Sequence, residues 1–100
     1  MNMMLNNIDS NYNASYKIEN YTDNFSVVRD RYSCIIFNNT GTSNATINGF
    51  VVEAGESISF VEKPYVFINT DFQVNFDKTD PNATHKISVI KTYYRKIKEK

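Results

Sequence analysis

Glycine, proline and cysteine are scarce in this 100-residue sequence, and tryptophan is absent. The chain has three glycines, two prolines and one cysteine. With Cys34 as its single cysteine, it can form neither an internal disulfide nor a cysteine cluster that binds zinc. Such cysteine usage is typical of a reducing compartment, or of a particle assembled in one.

An excess of charge of either sign is also lacking. Eleven basic and eleven acidic side chains give a formal net charge of zero, so no global field attracts the chain to nucleic acid or an anionic membrane. No apolar run is long enough to span a bilayer. Residues 1–13 have no lysine or arginine and no apolar core of signal-peptide length. We therefore expect synthesis in the cytoplasm, no binding to membranes and no attraction of the chain as a whole to nucleic acid.

The length predicts one domain, preceded by an arm. Residues 1–15 have no sustained hydrophobic period and predict an extended N-terminal arm, whereas residues 16–100 predict a single β domain. The arm is either a disordered leader or a segment that docks on a partner. Its candidate partner-binding residues are the apolar side chains Met3, Met4, Leu5 and Ile8.

Short apolar runs separated by turn residues dominate the remainder of the chain. Residues 32–37 carry apolar side chains on both faces, which predicts a central strand covered on both sides. Residues 72–76 alternate with Phe72, Val74 and Phe76 inward, and residues 84–98 predict a long strand. No helical cap and period occur. The pattern predicts an all-β fold, a small antiparallel sandwich or barrel of about seven to eight short strands.

Two glycine-centred turns lie close together in residues 44–60. Asn48-Gly49 is a strong signal for a type I′ hairpin turn, which needs positive φ at both central residues. Gly55 marks a second reversal a few residues later. We therefore predict a three-stranded meander over residues 45–61, with Asn48, Gly49 and Gly55 as its structural turn residues and Gly49 as structurally required.

Residues for catalysis or metal binding do not form a recognisable pattern. His85 is the single histidine, it precedes Lys86, and no metal-ligand spacing surrounds it. Cys34 lies in an apolar run and is typical of a small core side chain. The sequence therefore predicts a protein that is not an enzyme and that binds no metal, cofactor or small molecule.

The C-terminal stretch "KTYYRKIKEK" contains the one run of basic charge. Three interpretations stay open: contact with nucleic acid, a solvated tail, or docking on an acidic neighbour. The candidate partner-binding residues there are Tyr93, Tyr94, Arg95, Lys96 and Lys98.

The pattern "ATINGFVVEAGESISF", with "FNNTGTSNATINGF" overlapping it, resembles small β-sandwich virion proteins of tailed bacteriophages. The asparagine-rich composition is similar to that of crAss-like phages, which infect gut Bacteroidetes. The resemblance covers residues 32–61. It implies a structural role as an auxiliary (decoration) capsid protein, or as a small part of a head fibre or tail. The implied partners are the major capsid protein or other virion proteins, and the implied location is the virion. It supplies no catalytic residue.

A carbohydrate- or receptor-binding module is the competing hypothesis. β-Sandwiches often hold such sites, and seven tyrosines provide surface for stacking on sugars. The absence of tryptophan and of a calcium-binding pattern counts against it. For a virion protein, attachment should depend on the two segments at opposite ends of the sequence, the apolar arm and the basic C-terminal stretch.

Overall fold

The computed structural model of the protein describes residues 11–97. All regular secondary structure in that range is β-strand. No helix in that range has the length and hydropathy needed to cross a bilayer. The strands are β1 (Tyr12–Tyr21), β2 (Phe25–Val27), β3 (Cys34–Asn39), β4 (Ala45–Ile47), β5 (Phe50–Val52), β6 (Ser57–Val61), β7 (Phe72–Phe76) and β8 (Ile87–Lys96).

The strands form two four-stranded sheets, in the orders β1-β8-β3-β6 and β2-β7-β4-β5. Every neighbouring pair is antiparallel. This strand order is that of an eight-stranded jelly roll, in which two sheets pack face to face. The prediction of an all-β antiparallel sandwich of seven to eight strands is confirmed.

The core lies between the two sheets and is built by period-two alternation. Ile35 and Phe37 of β3 are fully buried, while Cys34 and Ile36 are only half-buried on the other face. The prediction that β3 is covered on both sides is therefore wrong. A two-layer sandwich gives each sheet one solvent-facing side, and the apolar residues on that side of β3 stay partly exposed.

The meander prediction is right for its first hairpin and wrong for its third strand. β4 and β5 pair across Asn48 and Gly49, whose φ values of 49° and 89° suit a type I′ turn. β6 instead pairs with β3 in the other sheet. Gly55, at φ 85°, donates its N–H to the Asn39 carbonyl at 2.9 Å as the chain passes between the sheets. Alternation shows which face of a strand is buried, but not which sheet the strand joins.

The boundary of the N-terminal arm also differs from the prediction. β1 begins at Tyr12, and residues 12–15 pair with residues 93–96 of β8. Backbone pairing with a neighbour supplies the stability that the weak apolar pattern of these residues did not suggest. The predicted binding residues Met3, Met4, Leu5, Ile8 and Lys98 lie outside the described residues.

The end of the sandwich at residues 39–43 is held by a buried amide side chain. Asn39 Nδ2 donates to the carbonyls of Ser43 (2.8 Å) and Val52 (3.0 Å), and Asn39 Oδ1 accepts from the Gly41 N–H. Gly41 packs against residues 84–86, where an added Cβ would lie 2.7 Å from the Lys86 nitrogen. Close backbone contact therefore requires glycine at this position.

Candidate partner-binding surface

β1 and β8 extend beyond the body of the sandwich as a two-stranded ribbon. β3 pairs with β8 only as far as Cys34, opposite Thr92, whereas β1 continues to pair as far as Lys96. We call residues 12–15 and 93–96 the β1–β8 ribbon. The Ile97 N–H donates to the Asn11 carbonyl at 2.8 Å. The described parts of the two predicted attachment segments, distant in sequence, thus lie side by side.

Tyr93 and Tyr94 occupy opposite faces of the ribbon, since successive residues of a strand alternate. Tyr93 is half-buried, and its ring meets the Tyr32 ring edge-on at 6.1 Å between centroids. Its hydroxyl donates to Asp30 Oδ2 at 3.2 Å. Burial, helped by the Asp30 carboxylate, raises the pKa of Tyr93 to about 12. Tyr93 therefore anchors the ribbon to the loop that precedes β3.

A cleft of 330 Å³ at the base of the ribbon brings three predicted residues together. Tyr93, Tyr94 and Arg95 line it. The sequence pattern assigned no role in binding to Arg31 or Phe67. We call this site the ribbon cleft; its remaining lining residues are Ser15, Arg31 and Phe67. Two exposed guanidinium groups beside aromatic rings suit an acidic or aromatic group of a partner.

A partly buried ion pair lies where the ribbon joins the sandwich. Lys91 Nζ is 3.1 Å from Glu19 Oε1 and 5.7 Å from the centroid of the Tyr32 ring. The hydrogen bond from Lys91 holds the pKa of the Glu19 carboxyl below its usual value. Tyr32 is fully buried, and burial raises its pKa to about 12. The Lys91–Glu19 pair is thus a polar contact on the inner face of β1 and β8.

A second, more apolar cleft opens between the edge strands β5 and β6. It has a volume of 440 Å³, and Phe67 lines both this cleft and the ribbon cleft. Phe50, at the start of β5, is 61% exposed. We call the site the phenylalanine cleft; its apolar lining includes Phe50, Phe60, Phe67, Ile68 and Phe72.

The contacts of His85 hold two segments of the fold together. Its Nδ1 is 2.7 Å from Ser43 Oγ, which also lies 3.2 Å from the Thr84 carbonyl. Its ring packs beside Phe76, with centroids 5.2 Å apart. These contacts join the loop after β3 to the segment before β8. Among residues 11–97, no three histidine, cysteine or acidic side chains are placed to share a metal ion.

The predicted turn residues lie away from the ribbon and have structural contacts. Asn48 does more than adopt positive φ: its side chain accepts from the Gln73 N–H at 2.8 Å and donates to the Asp71 carbonyl at 3.1 Å. It thereby fastens the hairpin to β7. Arg95 and Lys96 are both exposed, and of the two Arg95 lines the ribbon cleft.

No protein-family model matches the chain, and no curated protein is significantly similar to it.

Proposed function

We propose that this chain is a structural protein of a tailed-bacteriophage virion, and specifically an auxiliary capsid protein that binds the lattice of the major capsid protein. The jelly-roll strand order is the observation that carries the proposal, because this architecture recurs in viral capsid domains. A fold by itself admits several functions. The resemblance over residues 32–61, which include strands β3 to β6, favours the virion among them.

The ribbon end provides the attachment surface in this proposal. The predicted arm continues from Asn11 and the basic stretch includes Ile97, and these two residues are hydrogen-bonded to each other. Both segments therefore connect to the fold at the same place. The ribbon cleft adds Arg31 and Arg95 for an acidic segment of the lattice.

The binding energy in this proposal is divided between the arm and the folded body. Ordering the arm costs about 1 kcal/mol or more per residue. Full burial of an apolar side chain such as Met3, Met4, Leu5 or Ile8 stabilises the bound state by roughly 1.5–3 kcal/mol. These terms nearly cancel for one copy. Firm attachment therefore needs the ribbon cleft to dock at the same time, with a salt-sensitive contribution from its exposed arginines.

The direct test is mass spectrometry of purified particles from the phage that encodes this chain. We expect the protein in intact virions at a fixed ratio to the major capsid protein. Its absence from purified virions would refute the proposal.

A truncation tests the attachment surface. Because residues 12–15 belong to β1, the deletion should stop at residue 10. We expect the shortened protein to stay folded by circular dichroism but to wash off particles that retain the full chain. Arg31→Ala with Arg95→Ala should lower the salt concentration that releases the full chain, and Lys63→Ala, in an exposed loop, is the control. Equal decoration by the shortened protein would contradict the role of the arm.

The phenylalanine cleft favours a second candidate, a carbohydrate- or receptor-binding module of a head fibre or tail. Jelly rolls also occur in lectin domains, and aromatic rings in a concave site suit sugar faces. A glycan array with the intact chain tests this function. Binding that is lost in Phe50→Ala but kept in Val51→Ala, its equally exposed neighbour at 61%, would support it.

A further inference from the structure

The longest free edge in the described part of the chain belongs to β1. β1 has ten residues and is the terminal strand of its sheet, whereas the other edge strands have three or five. It contains no proline or glycine, and its two charged side chains, Lys17 and Glu19, have opposite signs. Proteins usually protect such an edge with proline, bulges or repeated lysines, because its unpaired backbone groups invite another strand.

The register shows which backbone groups face this edge. The Ile97 N–H bonds to the Asn11 carbonyl, and hydrogen-bonded pairs alternate along an antiparallel ladder. Odd-numbered residues of β1 therefore direct their N–H and C=O groups to β8. Even-numbered residues, including Tyr16 and Ile18, direct theirs outward. The side chains of Tyr16 and Ile18 are 67% and 63% exposed.

The charges of Lys17 and Glu19 favour a second copy of β1 as the partner strand and favour one register of the two strands. A two-fold axis at Lys17 or at Glu19 would place that residue opposite its own copy, and like charges directly opposite destabilise a strand pair. An axis at Tyr16 would leave both charges opposite neutral residues. An axis at Ile18 places Lys17 of each copy opposite Glu19 of the other. Glu19 already accepts from Lys91 and lies 3.7 Å from Lys17 of its own strand, and the pairing adds two opposite-charge pairs between the copies.

We propose that β1 pairs antiparallel with β1 of a second copy of this chain, about a two-fold axis at Ile18. Self-complementary contact of this kind is the rule for two-fold dimers. The pairing joins two four-stranded sheets into one of eight strands. Ile18, Ile90 and Ile36 share one row across each sheet, so the row becomes a continuous apolar stripe through the axis. This dimer does not depend on the proposed virion function.

Cysteine cross-linking tests the register. In a Cys34→Ser background, Ile18→Cys places two cysteines directly opposite each other, about 5.5 Å apart between Cα atoms, which a disulfide spans. Tyr16→Cys is the matched control, with similar exposure on the same face. Its two copies would lie four residues out of register, about 14 Å apart. We expect an oxidised dimer from Ile18→Cys alone. A disulfide dimer from Tyr16→Cys, or none from either variant, would overturn the proposal.

Sedimentation velocity of the intact, reduced chain tests the dimer itself. We expect a mass of twice 11.6 kDa at concentrations of about 100 µM. Lys17→Glu should raise the dimer dissociation constant about tenfold, because it turns two attractive pairs into repulsive ones. The control Lys63→Glu makes the same charge change in an exposed loop. A monomeric wild type, or Lys17→Glu dimers as tight as those of the wild type, would refute the pairing.

Discussion

Strand β8 differs sharply between its two ends. At Ile87 it is buried, beside a loop held by Asn39 and Gly41. At Arg95 and Lys96 it is exposed and paired only with β1. The same strand thus contributes stability at one end and accessible surface at the other. Substitutions should therefore be costly near residues 39–43 and nearly silent for folding in the ribbon.

The largest effect is expected for Asn39→Ala. The variant leaves two buried carbonyls and the Gly41 N–H without the side-chain partner that they have now. We expect a loss of about 3 kcal/mol, since each unsatisfied buried group costs roughly 1–3 kcal/mol and such costs are not additive. Urea denaturation measures it. Asn38→Ala, the neighbouring amide on the other face of β3, is the control and should cost under about 1 kcal/mol.

The next largest losses of stability are expected at Gly41 and Gly49, where glycine is required for different reasons. Gly41→Ala pushes a Cβ against the backbone of residues 84–86, and we expect a loss of about 2–3 kcal/mol. Gly49 has open space around it but φ of 89°. Gly49→Val should cost roughly 1–3 kcal/mol through backbone strain, whereas Gly49→Asn should cost less. Thermal melts of the three variants compare them. A Gly49→Val melting temperature equal to that of the wild type would contradict the assignment of strain to this turn.

The ion pair at the base of the ribbon should make stability depend on pH. Glu19 has a lowered pKa in the folded protein, so its stabilising contribution is present above the unfolded pKa and is lost as pH falls through the folded value. Glu19→Gln should cost roughly 1 kcal/mol at pH 6, reduced because the side chain is 30% exposed. Melting curves at pH 6 and pH 3 check this. The gap between variant and wild type should narrow at pH 3, and a constant gap would argue against the linkage.

The smallest effect is expected in the ribbon. Arg95→Ala with Lys96→Ala removes two exposed side chains and should change the free energy of unfolding by less than about 0.5 kcal/mol. Urea denaturation measures this directly. A loss of more than about 1 kcal/mol would show that the ribbon contributes to folding as much as the opposite end does.

Local signals in the sequence predicted local structure well. Asn48-Gly49 predicted the hairpin, and the alternation in residues 72–76 predicted both β7 and its buried face. These features depend on residues next to each other in sequence. The position of β6 in the other sheet depends on the hydrogen bond between the Gly55 N–H and the Asn39 carbonyl. No local period in the sequence predicts that contact.

The candidate site was harder to predict, because its parts come from distant segments. Tyr93, Tyr94 and Arg95 were predicted as candidates from a single run of basic residues that follows two tyrosines. Arg31 and Phe67 join them only through the packing of two loops against the ribbon. The exposed Phe67 follows Lys63-Pro64 in a run of apolar residues, and an exposed aromatic residue in a loop is the one signal that could have identified it.

The hydrogen bond between Ile97 and Asn11 has a mechanical consequence. Because β1 and β8 are antiparallel neighbours, tension applied through these two residues acts at the same end of the ladder. The ladder would then open one pair at a time, as a zipper does, and would resist little force. A partner that held both segments together would therefore keep the strands paired under load, whereas a force that pulled them apart would separate β1 from β8.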